Sequence, residues 1–279
     1  MRRHRLIAAS RTAGLGATTA LAQPVIEGTE SIDFDRPEAW AMKYFASVAL
    51  PTTFGGPEPL AAGDVDLTLE YVQIPSLDEA ERRVGFGGFK VEDLNKSPYL
   101  LRPVVAVGLG RKLTLEAGYV PPVDRNGAEA SLLTLALGRP LVESDRFRFG
   151  LRLHAAAGSI EGDFTCSADT AAAGDDPVRN PFGCEAASRD EYDLSTLGLE
   201  ASAAWALGSE ERWEPFVALS YNRMDLEFQV NARYAGLSDR TLLETDGETF
   251  YAVAGVGYRL APAWRLAGEV FYSPLDVVR

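Results

Sequence analysis

Few side chains in this sequence are equipped for chemistry. Histidine occurs twice, at His4 and His154, and cysteine twice, at Cys166 and Cys184. One internal histidine, joined by a serine and a carboxylate, could form a hydrolytic triad in which the imidazole takes the serine proton. A histidine-rich zinc site is excluded, and two loop cysteines with one histidine make a poor one. Residues 163–193, DFTCSADTAAAGDDPVRNPFGCEAASRDEYD, hold enough carboxylates to suggest calcium. They lack the regular acidic spacing and terminal glutamate of an EF-hand loop, so the segment reads as a solvated acidic loop. The glycine-rich runs GFGGFK (85–90) and GLGRK (108–112) precede strands, so no helix N-terminus follows to hold phosphate. No catalytic group, metal or cofactor is expected.

The start of the chain decides the compartment. Met1-Arg2-Arg3-His4-Arg5 is a basic n-region, residues 6–21 are mostly small and apolar apart from Arg11, and Ala20-Leu21-Ala22 is an A-x-A cleavage signal. Residues 1–22 therefore read as a signal peptide. Removing its four arginines from 27 basic residues leaves 23 against 40 acidic ones, a net charge of −17. So acidic a chain repels phosphate, and nucleic acid is excluded as a partner. Export places both cysteines in an oxidising compartment, and a Cys166–Cys184 disulfide is expected. His154 is then the only histidine left.

What must position these residues is a β-domain. Residues 23–39, acidic with two prolines, read as a short N-terminal extension on the periplasmic side. From residue 40 to 279 the chain repeats about ten residues of alternating apolar and small-or-polar character, followed by turn residues. The expected strands are 40–50, 65–74, 83–91, 101–109, 113–120, 129–138, 146–160, 191–207, 213–230, 248–260 and 264–272. Each odd-numbered connection between them is longer than the even-numbered one that follows. Outer-membrane barrels sort their loops this way, into short periplasmic turns and longer extracellular loops. No run of eighteen uncharged apolar residues exists, and the mean hydropathy of −0.07 suits strands that show lipid at every second residue.

The segments VVAVGLGRKLTLEAGY (104–119) and YAVAGVGYRLAPAWRLAGEVFY (251–272) resemble the periplasmic hairpins of Gram-negative outer-membrane barrel proteins. The resemblance is one of pattern and spans about residues 40–272. It implies an all-β, antiparallel, up-and-down transmembrane barrel of about 11–12 strands in the outer membrane. Its partners would be outer-membrane lipid, lipopolysaccharide and the barrel-assembly machinery, with small solutes as further candidates. The function implied is a passive small-solute channel or a structural barrel with a polar lumen. A lipid-modifying outer-membrane enzyme and a soluble periplasmic barrel binding an apolar ligand are the alternatives.

Alternation sorts the faces. Leu113, Leu115 and Tyr119 oppose Thr114 and Glu116; Phe149, Leu151 and Leu153 oppose Arg148, Arg152 and His154; Leu197, Leu199 and Trp205 oppose Glu200. Arg or Lys at a bilayer midplane costs about 2–4 kcal/mol, so in a membrane barrel the charged faces point inward. That assigns Lys43, Asp66, Glu70, Arg102, Glu116, Arg148, Arg152, His154, Glu200 and Glu269 to the lumen, with Glu116 and Glu200 the expected partners of Arg148, Arg152 and His154. An inward His154 is out of reach of lipid, which favours a polar network over a triad. Trp40, Tyr119, Trp205, Trp213, Tyr258, Trp264 and Tyr272 fall near strand ends, where aromatic girdles belong. Eleven strands are one short of an even count, and the chain ends in Arg279 rather than in the aromatic residue that the family's assembly machinery recognises. The expectation is a missing last strand or one false strand, with 83–91 the first suspect.

Overall fold

The computed structural model describes residues 23–208, 212–274 and 277–278, so the leader assigned to 1–22 lies outside the described residues. In chain order the elements are β1 (Val25–Ser31), α1 (Pro37–Ala49), β2 (Val65–Gln73), β3 (Arg83–Val84), α2 (Gly85–Gly88), β4 (Lys90–Val91), β5 (Tyr99–Gly110), β6 (Leu113–Val120), β7 (Ala128–Glu143), β8 (Phe147–Gly162), α3 (Ala168–Ala172), β9 (Asp190–Trp205), β10 (Trp213–Gln229), β11 (Ala232–Tyr234), β12 (Leu237–Ala261), β13 (Trp264–Ser273) and β14 (Val277–Val278). Strand makes up 59% and helix 9% of the described residues, which places the fold in the β class. The main sheet runs β14-β13-β12-β10-β9-β8-β7-β6-β5-β2, with every neighbour on that path antiparallel. β1 lies parallel to the start of β12, so the sheet as a whole is mixed.

The connections divide by length between the two ends of the strands. At one end β5 turns into β6 over Arg111 and Lys112, both with positive φ (52° and 62°), the geometry of a tight hairpin turn. At that same end residues 144–146 join β7 to β8 and residues 262–263 join β12 to β13. At the other end lie residues 74–98, which include β3, α2 and β4, and residues 163–189, which include α3. Cys166 and Cys184 form a disulfide within the second of these.

Two expected strands do not form. Residues 40–49 belong to helix α1, whose start carries Pro37 in the first turn and Glu38 beside it, and Leu50 caps its end. Proline is tolerated there because its missing N–H has no intrahelical partner, and an acid there complements the helix dipole. Ala39, Ala41, Met42, Lys43, Tyr44, Ala46, Ser47, Val48 and Ala49 are all buried. A helix covered on all sides shows no polar stripe, so its residues carry no helical period to read. Residues 83–91 contain only the two-residue strands β3 and β4 around the turn α2, where Phe86 and Gly87 have positive φ. Nor do residues 23–39 stand apart as an extension: 25–31 form β1 on the main sheet and 37–39 open α1.

The sheet must curl tightly around α1 and the residues after it. Arg102 of β5 donates to the Ala49 carbonyl at 3.0 Å, while Thr52 donates to Glu269 of β13 at 2.6 Å. β5 and β13 are seven strand spacings apart, about 34 Å in a flat sheet. Residues 49 and 52 lie at most about 10 Å apart, so only strong curvature lets both strands reach them. Among the described residues no pairing joins β2 to β13 or β14.

Candidate functional site: the buried polar face

Strand alternation gives each long strand one face toward α1 and one away from it. The covered face holds the polar residues. Glu70, Arg102, Thr114, Thr134, Arg152, His154, Thr196, Glu200, Ser202, Ser220, Asn222, Thr249 and Ser273 are buried there. On the uncovered face Leu67, Leu69, Leu133, Leu135, Leu153, Leu197, Leu199, Leu219, Leu266 and Val270 are exposed. The core is therefore polar at the sheet and apolar around α1, where Phe45 packs on Phe164 and Tyr192.

Residues 49–58 run along this polar face and are held to it from several strands. Arg102, 1% exposed, donates to Glu70 at 2.6 Å as well as to the Ala49 carbonyl. Arg152 donates to Glu116 at 2.7 Å and 3.0 Å and to the Pro51 carbonyl at 3.4 Å, and its guanidinium stands 3.9 Å from Glu200. Glu200 also accepts from the Thr53 amide at 3.2 Å and from the Tyr251 hydroxyl, which lies 3.0 Å from the Pro51 carbonyl. Toward the short-turn end, Arg148 pairs with Glu214, Glu214 with Arg265 at 2.7 Å, and Arg265 with Glu58 at 2.7 Å. Four arginines and five carboxylates thus alternate along the inner wall, each buried charge held by an opposite one. Isolated buried charges would cost several kcal/mol apiece.

The assigned residues are not all placed as expected. Glu70, Arg102, Glu116, Arg152, Glu200 and Glu269 come together around residues 49–53. Arg148 takes Glu214 as its partner, and His154 takes Ser220 at 3.0 Å, instead of Glu116 or Glu200. Lys43 is on α1, not on a strand, and donates to the Phe34 carbonyl below the Phe34 ring. Asp66 is exposed at the start of β2 and lines nothing. Glu58, Glu214 and Tyr251 were not singled out from sequence. Glu214 could have been, because it alternates with the outward Trp213.

His154 cannot run a triad in this arrangement. Its Nε2 meets Ser220, but its buried Nδ1 has no hydrogen-bond partner, so no acid orients the ring. Gly198 on β9 is what makes room for it: a Cβ there would stand 2.4 Å from the imidazole. Among the described residues no three His, Cys, Asp or Glu side chains gather to hold a metal, and no helix is long and apolar enough to cross a membrane. No protein-family model and no curated protein matches the chain.

Proposed function

We propose that this chain is an outer-membrane β-barrel kept shut by its own N-terminal segment, a structural barrel and not an open solute channel. One observation carries the membrane reading. On three adjacent strands the uncovered face carries two aromatics eight residues apart: Trp213 and Tyr221 on β10, Tyr258 and Phe250 on β12, Trp264 and Tyr272 on β13. Trp213 pairs with Tyr258 and Tyr221 with Phe250, so the aromatics form rows across the strands. Eight residues of strand span about 27 Å, or about 20 Å along the membrane normal at a tilt of roughly 40°, which fits within the roughly 25 Å apolar band of an outer-membrane barrel. Between the rows lie Val217, Leu219, Val256, Leu266 and Val270, all exposed. A soluble barrel would turn such a band inward.

Closure is part of the proposal. β2 and β13 run in the same direction, whereas β14 runs antiparallel to β13 and opens an edge of the direction that pairs antiparallel with β2. Ten strands around one helix is a size that other helix-filled barrels approach. With the long connections facing outward, β1 and residues 33–36 sit at the extracellular end, and the chain descends through the lumen before β2 begins at the periplasmic end. The lumen then contains α1 and residues 49–58, tied to the wall by Arg102, Arg152, Tyr251 and Glu269, and this filling is what supports a lumen closed to solutes. The lipid-modifying alternative requires reactive groups on the outer wall, and His154 faces inward with 1% exposure.

Fractionation and planar-bilayer recording test both halves. The full chain, expressed with its leader in a Gram-negative host, is expected in the outer-membrane fraction with heat-modifiable migration and to give no unitary current steps. Recovery in the soluble periplasmic fraction overturns the membrane reading. Steady conductance steps from the unmodified chain overturn the closed lumen.

A further inference from the structure

The ladder between β5 and β6 stops early. It runs from Gly110↔Leu113 to Val104↔Gly118. Yet β5 continues back to Tyr99 against β2, and β6 continues to Val120 against β7. Residues 99–103 of β5 and residues 119–120 of β6 therefore pair on their far sides only. Pro103 is the first residue beyond the last rung. Proline has no N–H for a ladder and is excluded from sheet interiors, so it marks the place where these two strands part.

Behind the gap lies a cavity of about 400 Å³ between the sheet and α1. Val48 and Ala49 of α1 and Leu132 of β7 line its inner side; Leu69, Leu101 and Pro103, which belong to the uncovered face, line it as well. An intact sheet separates residues of its two faces. A cavity lined by both opens through the sheet, here toward the apolar outer surface. Its lining is mostly hydrocarbon, and its size is within the range of small-molecule sites.

One cation at the mouth has no counter-charge among the described residues. The Arg125 guanidinium lies 4.3 Å from the centre of the Tyr99 ring, and Tyr99 stacks at 5.6 Å on Tyr71, which is exposed on the outer face. The Nη1 of Arg125 is buried with no hydrogen-bond partner. A buried donor left unpaired is costly, and a charged one more so. The other cation lining the cavity, Lys96, is held by Asp93 at 2.7 Å and Asp163 at 2.5 Å.

We propose that this is a lateral lipid site: one acyl chain of an anionic, phosphate-bearing lipid of the outward leaflet passes between β5 and β6 into the cavity, and its phosphate meets Arg125 at the level of Tyr71 and Tyr99. The proposal rests on the membrane reading. An arginine fork suits a phosphate oxygen pair, and aromatic side chains of this kind mark headgroup depth. The apolar walls suit an alkyl chain, and the gap lets it enter without leaving the bilayer.

The test uses the full chain in phosphatidylcholine vesicles carrying a trace of chain-spin-labelled phosphatidylglycerol or, separately, chain-spin-labelled phosphatidylcholine. Electron paramagnetic resonance reads the motionally restricted fraction of each label. The unmodified chain is expected to restrict phosphatidylglycerol several-fold more than phosphatidylcholine. Arg125→Gln is expected to bring the two to the same level, and Ala130→Phe, which fills the cavity, to lower both. Arg125→Gln leaves the core untouched and carries the test if Ala130→Phe does not assemble. Vesicle flotation and heat-modifiable migration are read on the same samples. A chain that fails to insert condemns the membrane reading; an inserted chain without the preference, or with it unchanged in Arg125→Gln, overturns the lipid site. Loss of the preference on adding inorganic phosphate at constant ionic strength assigns Arg125 to a free anion and overturns it too.

Discussion

Val217 is the midpoint of the proposed membrane span on β10, four residues from Trp213 and four from Tyr221. It faces away from α1, is 44% exposed, and pairs laterally with Ala203 and Ala254. Its replacement by arginine separates the two environments sharply. On a water-facing surface such a change falls within about 0.5 kcal/mol, or about 1 kcal/mol if strand propensity is included. At a bilayer midplane it costs about 2–4 kcal/mol, because a guanidinium has to be drawn into hydrocarbon. At about 1.4 kcal/mol per factor of ten, the folded-to-unfolded ratio drops by roughly 30-fold to nearly 1,000-fold. The control is Glu227→Arg, six residues beyond Tyr221 on the same strand and exposed, where the cost is expected within about 0.5 kcal/mol. Denaturant titrations in vesicles, with folded protein scored by heat-modifiable migration, measure both. If Val217→Arg costs no more than Glu227→Arg, the uncovered face meets water and the reasoning from the aromatic rows is wrong.

The inner wall makes a second prediction: Arg102→Met leaves the buried Glu70 carboxylate unpaired and is expected to cost about 3–5 kcal/mol in the same titration, while Arg102→Met with Glu70→Leu recovers most of that loss. A double variant as unstable as the single one would show that the pair is not the source of the cost. Cys166→Ser with Cys184→Ser is expected to assemble with normal heat-modifiable migration but to be cleaved faster by protease within 163–189, since the bridge removes about 3 kcal/mol of loop entropy from that segment alone. Burial pushes the Glu92 carboxyl up to about 7 against the opposing pull of Lys90, with Asp190 and Glu38 adding to the rise. Folded structure there binds a proton that the opened segment releases, so the stabilisation is complete below about pH 4.5 and is lost as pH rises through about 7. The protection factor for amide exchange across 83–91, taken against the intrinsic base-catalysed rate at each pH, is therefore expected to be larger at pH 5.5 than at pH 8, and Glu92→Gln is expected to remove the difference.

The long strands were legible because their period is two and their faces differ in kind. Leu151, Arg152, Leu153 and His154 alternate in sequence and alternate between exposed and buried in the structure. The disulfide was legible from position, since both cysteines lie in one loop and the expected export would put them in an oxidising compartment. Helix α1 was not. Alternation in 40–50 resembles a strand because the helix is enclosed on every side, so no face had to be polar, and the signals that remained were weak ones: Pro37 in the first turn, Glu38, and the Trp40–Tyr44 stack at helical spacing. Partners across strands were only half legible, because alternation gives the face of a residue but not its height. That is why Arg148 meets Glu214 and not Glu116.

A stronger trace of the helix was present in the strands themselves. Glycine weakens a strand interior unless something approaches it closely. On the covered face Gly247 is pressed by the Phe34 ring, with a Cβ there 2.5 Å from it; Gly150 is pressed by Pro57 at 2.6 Å, and Gly108 by the Ala61 carbonyl at 2.0 Å. These three glycines mark the path of residues 34–61 from the long-connection end of the wall to the short-turn end. An open, water-filled lumen has no need of glycine at such positions, since any small polar side chain would serve. Glycines spaced along the inward faces of several strands are therefore the sequence's own record that something solid lies against them. In this protein that something is its own residues 34–61, which the charged face of the sheet holds as a clamp.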